Sequence, residues 1–279
     1  MEVAEKPIDI EKAIRKADNR FLKSLPRFLI RILQKIICED EMNATILRSS
    51  HLEGVPFVKD VLEGWKVNVI LHGLDKLPSE GRFIFASNHP VGGIDALAFF
   101  DGIGGYFPDI ISPANELLYH IPNMRSMIFG LNVFGKASRE TAKGLHSLFE
   151  SARPIFIFPA GEVSRRRSGT ISDGVWQKSF ITKAVEHKRD VIPVHISGRN
   201  SGLFYNVASI RTFLGIRMFI ETMLLPREMM RQRNSNVTIT IGKPISWETF
   251  TKDMSHFDWA QKVKATVYSL PGKQSKITS

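Results

Sequence analysis

Cysteine is almost missing from this chain, which carries a single one, Cys38, among its 279 residues. One cysteine excludes an intramolecular disulfide framework and any cysteine-rich metal site. The eight histidines are scattered without the spacing that metal ligands need, so we expect no bound metal. A chain so poor in cysteine is typical of a reducing compartment.

Long apolar runs are missing as well, since no segment stays apolar over the roughly 20 residues that a bilayer-spanning helix needs. The best candidate, from Phe28 to Cys38, is interrupted by Arg31 and Lys35. The start of the chain mixes acidic and basic residues without an apolar stretch, unlike a signal peptide. We therefore expect a cytoplasmic protein that can lie on the inner face of the cell membrane but does not cross it.

Several catalytic signatures are also absent. The chain has no GxxxxGK[ST] phosphate loop, no strand-led GxGxxG, no HExxH and no GxSxG. Cys38 lies in an apolar segment far along the chain from any polar cluster, which argues against a cysteine nucleophile. The sequence thus gives no sign of a P-loop nucleotidase, a dinucleotide-binding oxidoreductase, a zinc protease or a serine hydrolase.

Positive charge is what the chain has in excess, with 38 Lys and Arg against 28 Asp and Glu and a formal net charge of +10. Such an imbalance points to an anionic partner: nucleic acid, anionic lipid or an acidic carrier protein. No recognised nucleic-acid-binding motif is present, and the basic residues accompany an apolar helical face rather than exposed stacking aromatics. We therefore expect a membrane surface or an acidic carrier, and no nucleic acid.

Three regions follow one another along the chain. Residues 1–64 have the pattern of amphipathic helices, residues 65–245 alternate short β-rich runs with helical patterns, and residues 246–279 form a closing helix and a polar tail. Apolar strands separated by helices predict an α/β fold with a mixed, mostly parallel sheet covered by helices. The first region is then an N-terminal amphipathic helical extension of that fold.

The N-terminal region carries apolar side chains on one helical face. They are Phe21, Leu22, Leu25, Phe28, Leu29, Ile32, Leu33, Ile36 and Ile37. A cationic stripe runs beside this face, formed by Lys23, Arg27, Arg31 and Lys35. Two interpretations stay open: a helix packed on the domain with a solvated basic edge, or a helix that lies in a membrane surface.

A histidine and an aspartate follow the predicted buried strand Phe83–Ala86. His89 stands at the carboxyl end of that strand, which is where α/β sheets place ligands. Two glycines between the residues permit a sharp turn, so Asp95 can hydrogen-bond one ring nitrogen of His89 and leave the other free as a base. The alternative is a turn histidine with an aspartate that caps the next helix.

A basic segment follows another predicted buried strand, Pro154–Phe158. Its polar and small residues include Gly161, Glu162, Ser164, Arg165 and Arg166. Arginines after a strand suit the binding of a phosphate or carboxylate, and Lys136 offers a further cation in a small-residue turn. The alternative is a solvated basic loop.

In their order along the chain, these segments resemble the four motifs of the glycerolipid, or lysophospholipid, acyltransferase family, over residues 65–245. The matching residues, motif by motif, are Asn88, His89 and Asp95; Gly130, Phe134 and Lys136; Phe158, Pro159 and Gly161; and Ile192, Pro193 and Val194.

This sequence departs from the family pattern at four points. Five residues separate His89 from Asp95 where the family usually has four, and a lysine replaces the arginine of the second motif. In the third motif, Ala160 replaces the glutamate, and Glu162-Val163 replaces the following Thr-Arg. Glu162 and Arg165 are the candidates for the acidic and cationic roles of the third motif. The segments around His89 and Gly161 are most similar to a subgroup often labelled hemolysins, whose members include O-acyltransferases of glycine and ornithine lipids.

The resemblance implies an O-acyltransferase of membrane lipid biosynthesis, with His89 as general base and Asp95 orienting it. The acyl donor would be a thioester of acyl carrier protein or coenzyme A, without a bound cofactor, and the acceptor the hydroxyl of a lysolipid. Substrate contacts are expected from Asn88, Lys136, Gly161, Glu162, Ser164, Arg165 and Arg166. The alternatives are a 1-acylglycerol-3-phosphate acyltransferase and a basic protein that binds lipid or nucleic acid without catalysis.

Overall fold

A five-stranded sheet between two groups of helices forms the centre of the protein. The computed structural model describes residues 6–16, 23–115, 118, 121–131, 138–167, 169–216 and 219–270. The strands in chain order are β1 (Asn68–His72), β2 (Phe83–Ser87), β3 (Ser112–Asn115), β4 (Ile128–Leu131), β5 (Ile155–Ile157), β6 (Arg165–Arg167), β7 (Thr170–Ser172), β8 (Asp190–Ile196) and β9 (Asn236–Ile241).

The helices frame these strands. In chain order they are α1 (Ile10–Lys16), α2 (Arg27–Ile36), α3 (Glu39–Arg48), α4 (Val55–Gly64), α5 (Gly93–Gly104), α6 (Arg139–Glu150), α7 (Ser179–Glu186), α8 (Gly202–Phe213), α9 (Leu225–Met230) and α10 (His256–Ser269). Helix α6 begins at a side-chain cap, because the Ser138 hydroxyl accepts the Thr141 N–H at 3.0 Å in its first turn.

The central sheet has the strand order β1-β9-β8-β2-β5. Its adjacent strands run parallel except for β8 and β9, which are antiparallel. The expectation of a mixed, mostly parallel sheet is therefore confirmed. Two small sheets accompany it: β3 with β4, and the hairpin of β6 with β7.

Strand β2 shows why the sheet is covered on both faces. All five of its residues are buried, and the first four alternate between two hydrophobic clusters. Phe83 and Phe85 pack into one cluster with α4 and α5, whereas Ile84 and Ala86 pack into the other with α7 and α10. Because successive side chains of a strand point to opposite faces, the two clusters are the two covered faces of the sheet.

The N-terminal helices pack on this centre through only part of their apolar surface. In α2, Ile30 is buried with 1% exposure, whereas Phe28 and Ile32 are 62% and 48% exposed. Arg31 and Lys35 are exposed beside them. Two residues of the predicted apolar face, Phe21 and Leu22, lie outside the described residues.

Two side chains of α3 hold the segment before α1. The buried Glu39 carboxylate accepts the Ile10 N–H at 3.0 Å, and the Asn43 amide exchanges hydrogen bonds with the N–H and C=O of Ile8 at 2.8 and 2.7 Å. This segment therefore has a defined place against α3.

The three regions predicted along the chain, 1–64, 65–245 and 246–279, share cores where they are described. Phe57 of α4 packs in the cluster of Phe99, and Val263 of α10 packs in the cluster of Ile84. The boundaries therefore stay a prediction about organisation along the chain. Among the helices formed by described residues, none is both long enough and apolar enough to cross a membrane.

Candidate active site

The end of β2 is tied to β8 by Asn88. Its side-chain amide donates to the Ile196 C=O and accepts the Ile196 N–H, both at 2.8 Å, and the residue is 3% exposed. The amide is thus used to join two strand ends, which fixes the chain just before His89. A direct contact of Asn88 with substrate stays a prediction.

His89 and Asp95 meet as the sequence predicts. The His89 Nδ1 and the Asp95 Oδ2 are 2.8 Å apart, and the same oxygen accepts the N–H groups of Val91 and Gly92 at 2.9 Å. The carboxylate is fully buried, whereas the imidazole is 19% exposed. Because the carboxylate only accepts, the hydrogen sits on Nδ1, and Nε2 carries the free lone pair.

Gly92 makes this contact possible. Its φ of 136° lies in a region that residues with a side chain rarely adopt, and it turns the chain into α5. The Asp95 N–H donates back to the Gly92 C=O at 2.9 Å, so a local loop is closed from both sides. Phe158, beyond the end of β5, stacks on the His89 ring with 3.8 Å between ring centroids.

A second buried carboxylate, which the sequence did not reveal, accepts a hydrogen bond from the backbone of His89. Asp173, 1% exposed, accepts the His89 N–H at 3.2 Å, the Ser164 hydroxyl at 2.5 Å and the Trp176 indole N–H at 2.9 Å. The Ser164 N–H donates to the His89 C=O at 2.7 Å. Ser164 therefore contacts the backbone of His89 from a buried position, and its predicted substrate contact stays a prediction.

The C-terminal helix α10 contacts the backbone of the same residue, Asp173. The Tyr268 hydroxyl accepts the Asp173 N–H at 2.8 Å, and Lys264 Nζ donates to the Asp173 C=O at 2.9 Å. Burial, with the nearby Asp173, raises the pKa of Tyr268, and burial lowers the pKa of Lys264 and of the neighbouring His195. No sequence motif marks Asp173, since its five partners come from four separate places along the chain.

The predicted basic segment forms the hairpin of β6 and β7 and contains a buried ion-pair network. Arg165 Nη1 donates to Glu162 at 2.5 Å, and its Nε donates to Glu221 at 2.9 Å. Arg211 Nε lies 2.9 Å from the other oxygen of Glu221, and both guanidiniums lie over the Phe219 ring. Glu162 and Arg165 therefore form an ion pair, and their third-motif roles stay a prediction. Arg165 is 6% exposed, and its contact with substrate stays a prediction as well.

The remaining predicted residues have different positions. Gly161 is exposed in a left-handed turn with φ of 68°, where its N–H donates to Phe158. Arg166 is exposed and lines a cavity that also contains Arg199 and Arg231. Lys136 lies outside the described residues.

One group of side chains on α6 and at the end of α7 has the spacing of metal ligands, contrary to the impression given by the sequence. The ligand atoms of His146, Glu186 and His187 lie within 4.8 Å of one another. Lys183 Nζ donates to Glu186 at 2.7 Å, so that carboxylate already has a cationic partner. Its place on two surface helices separates this group from the contacts of His89.

Among the described residues, no serine or cysteine is hydrogen-bonded to the His89 ring, and Asp95 is its hydrogen-bond partner. A histidine held in this tautomer by a buried carboxylate has the geometry of a general base that acts on a substrate hydroxyl directly. This arrangement fits the class of group-transfer enzymes with a His–Asp pair, and the catalytic roles of both residues stay predictions.

Comparison with known proteins gives the family. The profile of the family described as "Acyltransferase" matches residues 12–273. A lyso-glycine lipid O-acyltransferase of Phocaeicola vulgatus is 39% identical over 264 residues, which are 94% of this chain and 95% of the relative. A protein of the same name from Bacteroides thetaiotaomicron is 37% identical over 264 residues, which are 94% of this chain and 97% of that relative.

The chain belongs to the acyltransferase family and is an enzyme of that family, which confirms the class predicted from its four motifs. The crystal structure of the 1-acyl-sn-glycerophosphate (LPA) acyltransferase PlsC from Thermotoga maritima is 17% identical, with a TM-score of 0.42. That likeness covers 86% of this chain and 91% of the other, and nothing further is inferred from it.

Proposed function

We propose that this protein transfers a fatty acyl group from a thioester to the hydroxyl of a lyso-glycine lipid. The observation that carries the proposal is the 2.8 Å contact between His89 and the buried Asp95. The choice of acceptor is supported by two relatives that bear this name and align over 94% of the chain.

The reaction needs one proton to move twice. His89 Nε2 takes the proton of the acceptor hydroxyl while the hydroxyl oxygen attacks the thioester carbonyl carbon. The C–S bond then breaks, and the imidazolium returns the proton to the departing thiolate. Asp95 stabilises the imidazolium between these steps because its carboxylate accepts the Nδ1–H. Such proton transfer contributes about 10²–10⁴-fold to the rate.

The donor would be an acyl carrier protein or a coenzyme A thioester. Both carriers are anionic, and the formal net charge of +10 favours their approach. The thioester supplies the activated acyl group, so the reaction needs no bound cofactor or metal.

The test is acyl transfer by the purified protein from labelled acyl carrier protein or acyl-CoA to lyso-glycine lipid, with lysophosphatidic acid as a competing acceptor. His89→Ala should lower kcat by about 10²–10⁴-fold. The control is His51→Ala, which removes an exposed histidine and should leave kcat unchanged. Faster transfer to lysophosphatidic acid would favour the glycerophosphate alternative, and no transfer to either lipid would favour a binding protein.

We also propose that helix α2 places the enzyme on the inner face of the cell membrane as a peripheral protein. Phe28 and Ile32 are 62% and 48% exposed, and the cations Arg31 and Lys35 are exposed beside them. Apolar side chains flanked by cations suit the headgroup boundary of an anionic bilayer, where each cation contributes about 1 kcal/mol. Ile30 of the same helix is buried, and α2 contacts α1 and α3.

Vesicle co-sedimentation tests this proposal. One variant carries glutamate at four cations of the N-terminal region, namely Lys23, Arg27, Arg31 and Lys35. A matched control carries the same charge change at four exposed lysines elsewhere, namely Lys143, Lys178, Lys243 and Lys252. The first variant should leave vesicles of anionic lipid, and the control should stay bound more strongly. Equal release of both variants would mean that net charge, and not α2, determines the binding.

A further inference from the structure

A cavity of about 440 Å³ lies beside the turn that carries His89. Asn200 lines the cavity and connects it to that turn, since its Nδ2 donates to the Pro90 C=O at 3.4 Å. Arg166, on another wall, stands two residues after Ser164, whose N–H donates to the His89 C=O at 2.7 Å. The cavity therefore adjoins the backbone of the turn that follows His89.

The cavity is cationic. Arg166 and Arg199 are exposed and form no ion pair with any described residue. Arg231 lies 3.9 Å from Glu228, a distance at which the pairing is weak. Glu228 itself is fully buried and accepts the Ser201 N–H and hydroxyl at 2.6 and 2.7 Å. That carboxylate is thus used at the start of α8, and the three guanidiniums remain for an anion.

Asn200, which also lines the cavity, has a side-chain oxygen without a hydrogen-bond partner among the described residues. The residue is 4% exposed, and this oxygen, Oδ1, is buried. Its Nδ2 faces the Pro90 carbonyl, and its backbone N–H donates to the Tyr205 hydroxyl at 2.9 Å, so the orientation of the amide is set. A buried acceptor that lacks a donor is costly, and a ligand with an N–H group would satisfy it.

We propose that this cavity binds the head group of an N-acylated amino acid, with its carboxylate on the arginines and its amide N–H on Asn200 Oδ1. This proposal rests on the proposed function, because that head group is the one an N-acylated glycine acceptor presents. Glycine joined to its chain through nitrogen offers one carboxylate and one amide N–H, whereas a phosphate ester offers an anion without the N–H. Gly202 also lines the cavity and is the first residue of α8. Helix α8 carries the exposed apolar side chains Leu203, Ile210 and Phe213, along which an acyl chain can lie.

Equilibrium binding of small probes separates this site from catalysis. N-Decanoylglycine has the head group but no hydroxyl, so it binds without being acylated. Its methyl ester lacks the charge, N-decanoylsarcosine lacks the amide N–H, and decyl phosphate has a different anion. Loss of either contact should weaken binding about 10-fold. Binding of decyl phosphate as tight as that of N-decanoylglycine, or equal binding of the glycine and sarcosine probes, would overturn the proposal.

Substitutions locate the contacts. Arg199→Ala and Arg231→Ala should each weaken N-decanoylglycine about 10-fold and raise the KM for lyso-glycine lipid more than that for the acyl donor. The matched control is Arg233→Ala, because that arginine is close in sequence but lies 5.8 Å from the Trp65 ring centroid in a different cavity. The affinity of the Arg233→Ala variant for N-decanoylglycine should be unchanged. Equal losses in Arg231→Ala and Arg233→Ala would show an effect of overall charge and overturn the proposal.

Asn200→Ala tests the amide contact. In this variant the preference for N-decanoylglycine over N-decanoylsarcosine should fall to near parity, whatever happens to the affinity of both. A preference that survives in a folded variant would remove Asn200 from the site. Selective binding of N-decanoylglycine without any acylation of lyso-glycine lipid would uphold the site and refute the proposed function. Normal acylation of lyso-glycine lipid with an unchanged KM in the arginine variants would uphold the proposed function and refute the site.

Discussion

Replacing Asp95 with asparagine separates the charge of this residue from its geometry. The contacts with His89, Val91 and Gly92 all converge on Oδ2, whereas the buried Oδ1 has no hydrogen-bond partner in the described part of the chain. An amide of the same shape can therefore place its oxygen where Oδ2 is and its NH2 group where Oδ1 is. The substitution then removes the charge and keeps all three contacts.

The opposite orientation of the amide is disfavoured. It would aim the NH2 group at the N–H groups of Val91 and Gly92 and leave both without an acceptor. Each buried, unsatisfied donor costs about 1–3 kcal/mol, so two of them favour the first orientation by about 2–6 kcal/mol. His89 then keeps its hydrogen on Nδ1. What the variant loses is the difference between a charge-assisted and a neutral hydrogen bond, about 1–2 kcal/mol, which corresponds to a kcat about 5–30-fold lower.

Steady-state kinetics of three purified variants test this reasoning. Asp95→Asn should lose about 5–30-fold in kcat, and His89→Ala should lose about 10²–10⁴-fold. Asp95→Ala should approach the histidine variant, because the imidazole loses its orientation, and its thermal midpoint should fall, because two buried N–H groups lose their acceptor. If Asp95→Asn is folded yet as inactive as His89→Ala, the amide has turned or the charge dominates, and the argument is wrong.

Three further predictions concern buried polar groups. In Asp173→Asn, the NH2 group must face at least one of the hydrogen-bond donors that the carboxylate now accepts, and facing the Trp176 indole N–H costs least. The thermal midpoint should fall for this reason. The value of kcat should also fall, because the carboxylate accepts the backbone N–H of His89. Glu221→Leu leaves two buried arginines without their shared acid and should destabilise the fold by about 3–5 kcal/mol in denaturant titration; a change below about 1 kcal/mol would contradict this. Burial lowers the pKa of His187 and His195 in the folded protein. The unfolded chain therefore binds protons at these two residues more readily than the folded protein does. The free energy of unfolding should then be highest above the usual histidine pKa of about 6.5 and should decline as the pH falls below it. The thermal midpoint should therefore fall between pH of about 7.5 and about 5.5, and should fall less in the double variant with glutamine at both positions.

Local patterns in the sequence were enough for the elements that present the catalytic pair. The runs of β2, β5 and β8 are largely apolar and buried, which is typical of strands in a sheet that is covered on both faces. His89 stands just after β2, and Asp95 is separated from it by a turn that glycine permits. Their meeting is a short-range event, because six positions separate them. For that reason the sequence predicts the pair and its chemistry without any long-range contact.

For the basic segment, the local sequence pattern does not predict which arginine is buried and which is exposed. Three consecutive arginines read as a possible anion site, yet only the tertiary structure shows that Arg165 is buried against Glu221, 56 positions away, while Arg166 is exposed at a cavity. An isolated arginine in the sequence has no preference between an internal acid and a ligand. The choice depends on which carboxylates the fold brings within reach.

The sequence by itself thus determined the fold class and the His89–Asp95 contact, and it predicted their roles as general base and orienting carboxylate. The tertiary structure decided what surrounds them: Asn88 joins Ile196 across 108 positions, and Asp173 supports His89 across 84. Such partners leave no trace in periodicity or spacing, because a buried polar group requires only that some donor or acceptor meet it in space. Which residue meets it depends on the packing of strands and helices, and that packing is a property of the whole chain.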